Sequence, residues 1–152
     1  MADTGLLTAL SPNEIVGLTL IGEARGEPIE DIVAVGNVIK NRLYRMGTPY
    51  KSYNDVCLAD EQFSCWNSND TNRPFLIDLA AKMIHNEAIL DPYLVQCLFI
   101  AEGIVANKLM DNTKSAQYYM ASTLLNSIKI PVWAKNRKND IVKGNHTFFS
   151  LL

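Results

Sequence analysis

The stretch that organises the chain is Ile21-Gly22-Glu23-Ala24-Arg25-Gly26-Glu27-Pro28, a charged break between two segments of helical periodicity. Upstream, Ser11-Pro12-Asn13-Glu14 has the pattern of an N-cap, a first helical proline and a capping box, and predicts a helix that runs to the break. Downstream, Pro28 predicts the start of a second helix, which Gly47-Thr48-Pro49 ends. The break therefore joins two predicted helices.

Glu23 is the residue of this break that most suggests chemistry. It follows Leu20 by three residues and Val16 by seven, so it shares a helical face with both apolar side chains. A carboxyl group at the edge of an apolar face is partly desolvated, which favours its protonated form and makes it a candidate general acid. The alternative is a helix-terminal glutamate that points into solvent, and the spacing is compatible with both.

Four blocks along the chain resemble, in order, those of the SleB-type cell wall hydrolases, a family that includes spore-cortex-lytic enzymes and several phage lysins. The blocks are Glu23-Ala24-Arg25-Gly26-Glu27-Pro28 with residues 32–39 and Asn41-Arg42, then Gln62-Phe63-Ser64-Cys65-Trp66, then Ser115-Ala116-Gln117-Tyr118-Tyr119, and last Pro131-Val132-Trp133 with residues 144–149. The first block is the most specific, and the resemblance covers nearly the whole chain. It implies a lysozyme-like fold and cleavage of the glycan strand of peptidoglycan, with Glu23 as the acid.

Further site residues follow from the placement of aromatic and amide side chains together with the resemblance. Residues 48–73 form a predicted loop without clear periodicity, and loops of this length in compact domains are often functional. Aromatic rings stack on sugar rings, and amides and hydroxyls bond to sugar hydroxyls. The expected substrate-binding residues are Gln62, Ser64, Trp66, Tyr118, Tyr119, Trp133 and His146. A core anchor is an equal alternative for Trp66, and Phe63 is expected in the core.

The reaction expected from the carboxylates is a lytic transglycosylase reaction. Ordinary glycosidases use two carboxylates. Glu27 is the candidate second catalytic residue, but Pro28 separates it from Glu23, and Asp31 is explained by a helix N-terminal turn. A mechanism with a single catalytic glutamate fits the lack of a clear second carboxylate better. In it, the glutamate acts first as acid and then as base, and the muramoyl 6-hydroxyl is the nucleophile. The alternatives are a hydrolytic muramidase, with Glu27 or Asp31 positioning water, and a non-catalytic wall-binding or virion structural protein of the same fold.

Other chemistries have less support in the sequence. The two histidines, His85 and His146, are far apart, and the chain has no His-x-x-x-His or Cys-x-x-Cys pair, so no metal and no cofactor are expected. A thiol mechanism would need Cys65 with His146. The odd count of three cysteines favours reduced thiols, although Cys57 and Cys65 could pair across a loop.

The predicted architecture is a mainly helical α+β fold, with one domain over residues 1–152, four main helices and a small antiparallel sheet. The third helix begins at Pro74 and extends to Leu90. The fourth, residues 94–109, is apolar nearly all round, so we expect it at the centre of the fold, with Glu102 as a buried carboxylate. Gly36 predicts a close approach of the first long helix. Segments 116–120 and 145–149 are predicted strands, separated by a polar loop, and Glu23 should line a groove between helices and sheet.

Composition limits the partners. The net charge is −2, and apolar residues make up 48% and charged residues 20%, which is ordinary for a globular protein. Acids dominate residues 1–39 and bases residues 114–152, so the two ends could face each other across a cleft, meet an anionic polymer at the cell envelope, or simply be solvated. We expect peptidoglycan as partner, no nucleic acid, no membrane insertion and a monomer.

Without an export signal at the N-terminus, we expect synthesis in a host cytoplasm and release by a phage holin or in a virion.

Overall fold

Helices account for most of the regular structure in the computed structural model, which describes residues 2–60, 62–89 and 91–151. The helices are α1 (Ala2–Thr8), α2 (Pro12–Ala24), α3 (Ile29–Tyr44), α4 (Tyr53–Leu58), α5 (Arg73–Ile84), α6 (Pro92–Val105) and α7 (Ser122–Leu125), and the strands are β1 (Tyr118–Ala121), β2 (Lys138–Lys143) and β3 (His146–Ser150). Two short 3-10 turns, Ser64–Trp66 and Val132–Asn136, lie between them. The prediction of a mainly helical α+β fold is confirmed, with the four predicted helices as α2, α3, α5 and α6.

The helix that leads into the charged break, α2, lies at the centre of the core. Ser11 caps it with the predicted capping box: the Glu14 carboxylate accepts from the Ser11 N–H at 2.8 Å, and the Ser11 hydroxyl accepts from the Glu14 N–H at 3.3 Å. Every residue from 15 to 21 is buried. A helix buried on all sides needs neighbours on all sides, and α3, α4, α5 and α6 all pack on α2.

The prediction that the last long helix would be central is wrong. α6 buries one side against α2 and α3 and leaves Val95 and Phe99 exposed at 66% and 78%. Glu102 is also exposed, so the expected buried carboxylate at this position is wrong as well. Apolar composition does not tell a central helix from one with an uncovered apolar side, because that depends on the number of neighbours. None of the described helices, α6 included, combines the length and apolarity that crossing a membrane requires.

Two glycines let α6 approach the other helices closely. A Cβ atom at Gly17 would lie 2.7 Å from Leu98 Cδ2, and one at Gly36 would lie 2.9 Å from Ile104 Cγ1. Leu98 and Ile104 both belong to α6. Gly36 therefore accommodates α6 and not α2, which corrects the predicted partner of this glycine.

Helix ends differ from the predicted ones at two places. α5 ends at Ile84 and α6 at Val105, earlier than expected, and Asn86 and Asn107 follow them with φ of 54° and 59°. Asparagine adopts this left-handed conformation more readily than most residues, and a helix cannot continue through it. Leu90, expected at the end of the third helix, lies outside the described residues. Within the predicted loop of residues 48–73, α4 is a short helix capped by Ser52.

The sheet is antiparallel with the strand order β1-β3-β2. β1 and β3 lie where strands were predicted, with Tyr118 opposite Phe149 and Tyr119 opposite Phe148. β2 falls in the stretch expected to be a polar loop, which is a correction. Four of its six residues are polar, and β3 is its one neighbour among the described strands, so its strand conformation comes from this neighbour and not from its own composition.

The two faces of the sheet have different surroundings. Successive residues of a strand point to opposite faces, and Tyr119 and Phe148 face the main core. Tyr118 and Phe149 face away from it and pack in a smaller cluster with Leu125. We call these the inner and the outer face of the sheet. The inner face meets the charged break between α2 and α3.

Candidate active site

Glu23 is the second-last residue of α2 and is half-buried where the helix end meets β1 and the Ser64–Trp66 turn. The chain leaves the helix here through Arg25, which is extended, and Gly26, which adopts a φ of 84°. The Tyr119 hydroxyl donates a hydrogen bond to Glu23 Oε1, and the Cys65 N–H donates to Oε2 at 3.1 Å. Both carboxylate oxygens therefore have a donor from another element, which fixes the orientation of the side chain.

The turn that supplies the Cys65 N–H is held tightly against α2. The Trp66 indole N–H donates to Thr19 Oγ1 at 3.0 Å. Gly22 lacks the side chain that would separate the two segments: a Cβ atom there would lie 2.5 Å from Cys65 Cβ. The amide donor is thus positioned by packing on the same helix that carries Glu23.

Tyr119 brings the inner face of the sheet into contact with Glu23. Its ring stacks on Phe148 with the centroids 5.5 Å apart. Burial, and after it the negative charge of Glu23, raise the pKa of the phenol well above its ordinary value. The hydroxyl therefore stays protonated and remains a donor to the carboxylate.

Asp31 and His146 form a second polar pair beside the first. Asp31 lies in the first turn of α3 and is fully buried, and His146 Nδ1 lies 2.8 Å and 2.9 Å from its two carboxylate oxygens. Burial lowers the pKa of His146, but the hydrogen bond and charge of Asp31, followed by the charges of Glu27 and Glu23, outweigh it, so the pKa is raised. The His146 and Tyr119 rings are nearly perpendicular with their centroids 5.2 Å apart, and this contact connects the pair to Glu23.

Glu27 is bound by the turn between β2 and β3. Asn145 Nδ2 donates to both Glu27 oxygens, at 2.9 Å and 3.1 Å. The neighbouring Gly144 has a φ of 57°, and a Cβ atom there would lie 2.6 Å from Asp31 Oδ2 and 3.0 Å from Glu27 Oε2. A side chain at this position would push into both carboxylates, so the turn reaches the α2–α3 break only with a glycine.

Glu27, Asp31 and His146 are also the described residues that could hold a cation, since each offers a ligand atom within 4.8 Å of the others. All three already have partners. Asp31 and His146 are at hydrogen-bond distance from each other, and Asn145 binds Glu27. The contacts between these residues account for the cluster as a hydrogen-bond network.

Arg42 links the loop before α5 to the sheet. Its Nε donates to the Gln117 carbonyl at 2.8 Å, and its Nη1 donates to Gln62 Oε1 at 3.4 Å. The guanidinium lies over the Phe63 ring at 4.8 Å and over the Tyr118 ring at 5.8 Å. Phe63 is buried, as predicted. Arg42, which belongs to the first of the family-like blocks, thus positions the start of β1, on which Tyr119 lies.

The structure brings together only part of the predicted site. Glu23, Tyr119, His146 and Glu27 surround the α2–α3 break. Gln62 and Ser64 are exposed on the loop, while Trp66 is 9% exposed and bonded to Thr19, so it is a core anchor. Tyr118 and Trp133 contact each other on the outer face of the sheet, with centroids 5.9 Å apart, and do not border Glu23.

Sequence reasoning missed the Cys65 N–H, the Asp31–His146 pair and the roles of Gly144 and Asn145. A backbone donor has no side-chain signature in a sequence. Asp31 and His146 are more than 100 residues apart, and only the fold makes them neighbours. The single available signal was the position of residues 144–146 inside one of the family-like blocks.

The grooves found on the described surface do not lie where the sequence predicted one, at Glu23. A groove of about 730 Å³ is lined by loop residues that include Trp66, Asn67 and Arg73. Another, of about 420 Å³, is lined by Arg45 and Tyr118 among others. Glu23 lines neither of these two grooves. Trp66, next to Cys65, connects the larger groove to the site.

The cysteines do not form an activated nucleophile. Cys57, Cys65 and Cys97 are buried free thiols, which is the predicted state. Burial, and then the nearby Glu23 carboxylate, raise the pKa of the Cys65 thiol. These contacts favour a structural role for Cys65.

Comparison with known families gives one match. A family model of cell wall hydrolases matches residues 26–149. The matched range contains Glu27, Asp31, Tyr119 and His146, and it begins just after Glu23. No curated protein and no solved structure matches the chain, so the lysozyme-like fold implied by the resemblance stays a prediction.

Proposed function

Because the chain belongs to the SleB-type cell wall hydrolase family, whose substrate is peptidoglycan, we propose that it cleaves the glycan strand between N-acetylmuramic acid and N-acetylglucosamine as a lytic transglycosylase. The observation that carries the proposal is the setting of Glu23. It is a half-buried carboxylate whose two oxygens are held by the Tyr119 hydroxyl and the Cys65 N–H. A general acid needs this kind of fixed orientation toward the bond that it protonates.

The neighbouring carboxylates support a mechanism with a single acid. Asp31 is fully buried and bonded to His146, so it has no access to a water molecule at the sugar. Glu27 is bound by Asn145 through both oxygens. Hydrolysis with inversion or retention requires a second carboxylate that faces the anomeric carbon. Intramolecular attack by a sugar hydroxyl does not.

In the proposed reaction, protonated Glu23 donates its proton to the glycosidic oxygen as the bond between that oxygen and the muramoyl C1 breaks. The muramoyl 6-hydroxyl then attacks C1, and the Glu23 carboxylate accepts the hydroxyl proton as the new bond forms. The glutamate returns to its protonated form, and no water is consumed. Tyr119 and Cys65 keep the carboxylate in place through both steps.

Substrate binding is proposed for the exposed loop residues Gln62 and Ser64, which lie next to the turn that carries the Cys65 amide. Gln62 Oε1 accepts from Arg42, and Gln62 Nε2 donates one hydrogen to the Asp60 carbonyl at 3.5 Å, which leaves the second amide hydrogen for a sugar oxygen. Tyr118 and Trp133 contact each other on the outer face of the sheet and take no part in the proposed glycan binding. Trp66 anchors this loop to α2 through its hydrogen bond to Thr19.

The test is mass analysis of the muropeptides released from purified peptidoglycan by the wild type and by Glu23→Gln. We expect 1,6-anhydromuramoyl ends, lighter by one water than hydrolytic ends. Turnover by Glu23→Gln should fall by about two orders of magnitude or more, because the amide cannot supply the proton. Glu102→Gln is the matched control: it makes the same chemical change at an exposed position on α6. Full activity in Glu23→Gln would reject the proposal.

A hydrolytic muramidase is the second candidate, and the observation in its favour is the partial exposure of Glu27 close to the site. It predicts reducing ends that take up hydride on borohydride treatment and a loss of activity in Glu27→Gln. The third alternative, a non-catalytic wall-binding protein, predicts binding to peptidoglycan without any released product.

A further inference from the structure

The segment between α7 and β2, residues 126–137, exposes apolar side chains to an unusual degree. We call it the α7–β2 loop. Ile128 is 101% exposed, Val132 77% and Trp133 48%. Single exposed apolar residues are normal on a protein surface, but three within six positions form a patch, and such patches mark interaction sites.

These side chains point outward because other side chains of the α7–β2 loop pack against the body of the protein. Ile130 and Ala134 pack on the small cluster with Leu125 and Phe149. The Ala134 N–H donates to the Pro131 carbonyl at 3.0 Å within the Val132–Asn136 turn. The outward direction of Ile128 and Val132 is therefore a consequence of the fold.

The same surface is basic. Lys129, Lys135 and Lys138 are exposed, and none makes a salt bridge with a described residue. Arg137 pairs with Asp140 at 2.8 Å and so does not add to the free charge. In a chain with a net charge of −2, this concentrates uncompensated positive charge around exposed apolar side chains.

We propose that the α7–β2 loop docks the protein onto an anionic phospholipid bilayer. Ile128, Val132 and the edge of Trp133 enter the boundary between headgroups and acyl chains, and the lysines lie at the level of the lipid phosphates. Interfacial segments combine apolar and aromatic tips with lysines because the two contributions add at the same depth. This surface contact involves no crossing of the membrane and is independent of the proposed glycan cleavage.

The aliphatic side chains decide the choice of partner. A sugar-phosphate polymer of the wall would attract the lysines, but it offers nothing apolar to Ile128 and Val132. A glycan strand would stack on Trp133, but its hydroxyl groups would not bind the exposed aliphatic side chains of Ile128 and Val132. The apolar groove on α6, around Val95 and Phe99, has one acid, Glu102, and one base, Lys108, in its lining, so it serves as a comparison surface without an excess of positive charge.

The experiment is co-sedimentation of the full chain with vesicles of phosphatidylglycerol mixed with phosphatidylcholine, and with vesicles of phosphatidylcholine alone. We expect binding to the anionic vesicles that weakens with added salt. The double variant Ile128→Ser/Val132→Ser should lose about tenfold or more in partitioning. Lys129→Gln/Lys135→Gln should lose a similar factor and most of the salt dependence. The matched control, Val95→Ser/Phe99→Ser, should bind like the wild type.

A second readout needs no variant. Trp66 is buried, so a blue shift of tryptophan emission on addition of anionic vesicles reports Trp133 entering the interface. No binding to anionic vesicles, or equal losses in the loop and the control variants, would overturn the proposal. Binding to purified teichoic acid or glycan strands that the loop variants lose, without vesicle binding, would assign the loop to a wall polymer and also overturn it.

Discussion

The two faces of the small sheet carry similar aromatic side chains but do different things. On the inner face, Tyr119 and His146 bond to carboxylates at the α2–α3 break. On the outer face, Tyr118, Trp133 and Phe149 pack on one another at centroid distances near 6 Å. The difference comes from what lies opposite each face. Aromatic residues became part of the candidate site only where the helices place carboxylates against them.

The inner face is therefore constrained mainly by hydrogen bonds between buried polar groups, and the outer face mainly by the packing of aromatic rings. A buried hydroxyl, imidazole or carboxylate needs a partner, and losing the partner costs more than the hydrogen bond itself contributes. Mutations on the inner face should change activity or its pH dependence, and mutations on the outer face should change stability.

The largest expected effect is on stability, from Phe149→Ala. Phe149 is fully buried at the centre of the outer cluster, and truncation of a buried phenylalanine costs about 3–5 kcal/mol. We expect this loss in the free energy of unfolding, with the specific activity of the folded fraction retained. Phe148→Ala, on the inner face, is the comparison: it should lower both stability and activity, because Tyr119 stacks on Phe148. Equal loss of specific activity in both variants would remove the distinction between the faces.

The next effect is pH-dependent and concerns His146→Gln. The pKa of His146 is raised in the folded state above its ordinary value of 6.5, so its charge stabilises the fold below that pH and this contribution is lost as the pH rises through the folded-state pKa. We expect the wild type to exceed the variant by about 2 kcal/mol at low pH, with a difference that shrinks above pH 6.5.

Denaturant unfolding of both proteins across this pH range measures the difference. The exposed His85→Gln is the control and should follow the wild type at every pH. A gap between the wild type and His146→Gln that stays constant with pH would mean that the pair contributes through its hydrogen bond alone.

A smaller effect is expected from Tyr119→Phe, which removes only the hydroxyl that bonds to Glu23. A hydrogen bond to a charged group contributes about 1.5 kcal/mol, so kcat should fall about tenfold while KM for peptidoglycan changes little. Tyr118→Phe makes the same change on the outer face and should leave kcat unchanged. If the two variants behave alike, the orientation of Glu23 does not depend on Tyr119.

The smallest effect is expected from Trp133→Ala. Because Trp133 lies on the outer face, turnover of purified peptidoglycan should change by less than about twofold, equivalent to about 0.4 kcal/mol. A larger loss with an unchanged melting temperature would instead support the substrate-binding role that the sequence predicted, and would extend the glycan site around the edge of the sheet.

The predictable parts of the fold were those with local signals. The capping box at Ser11 fixed the start of α2, and apolar periodicity gave the four long helices. What failed depended on neighbours: α6 looked central because it is apolar, and β2 looked like a loop because it is polar. Burial of a helix and pairing of an edge strand are set by the elements around them, and sequence periodicity does not contain that information.

For the site, the sequence by itself determined the chemical groups: a carboxyl group at the end of an apolar helix, a conformational break formed by Gly26 and Pro28, and a late block with Gly144 and His146. Only the tertiary structure decided which groups meet. It joined Tyr119 and the Cys65 amide to Glu23, paired His146 with Asp31, and placed Tyr118 and Trp133 on the opposite face. The physical reason is that hydrogen bonds between distant segments depend on the packing of whole elements, here on α2 against the sheet, whereas caps and periodicity depend only on residues a few positions apart.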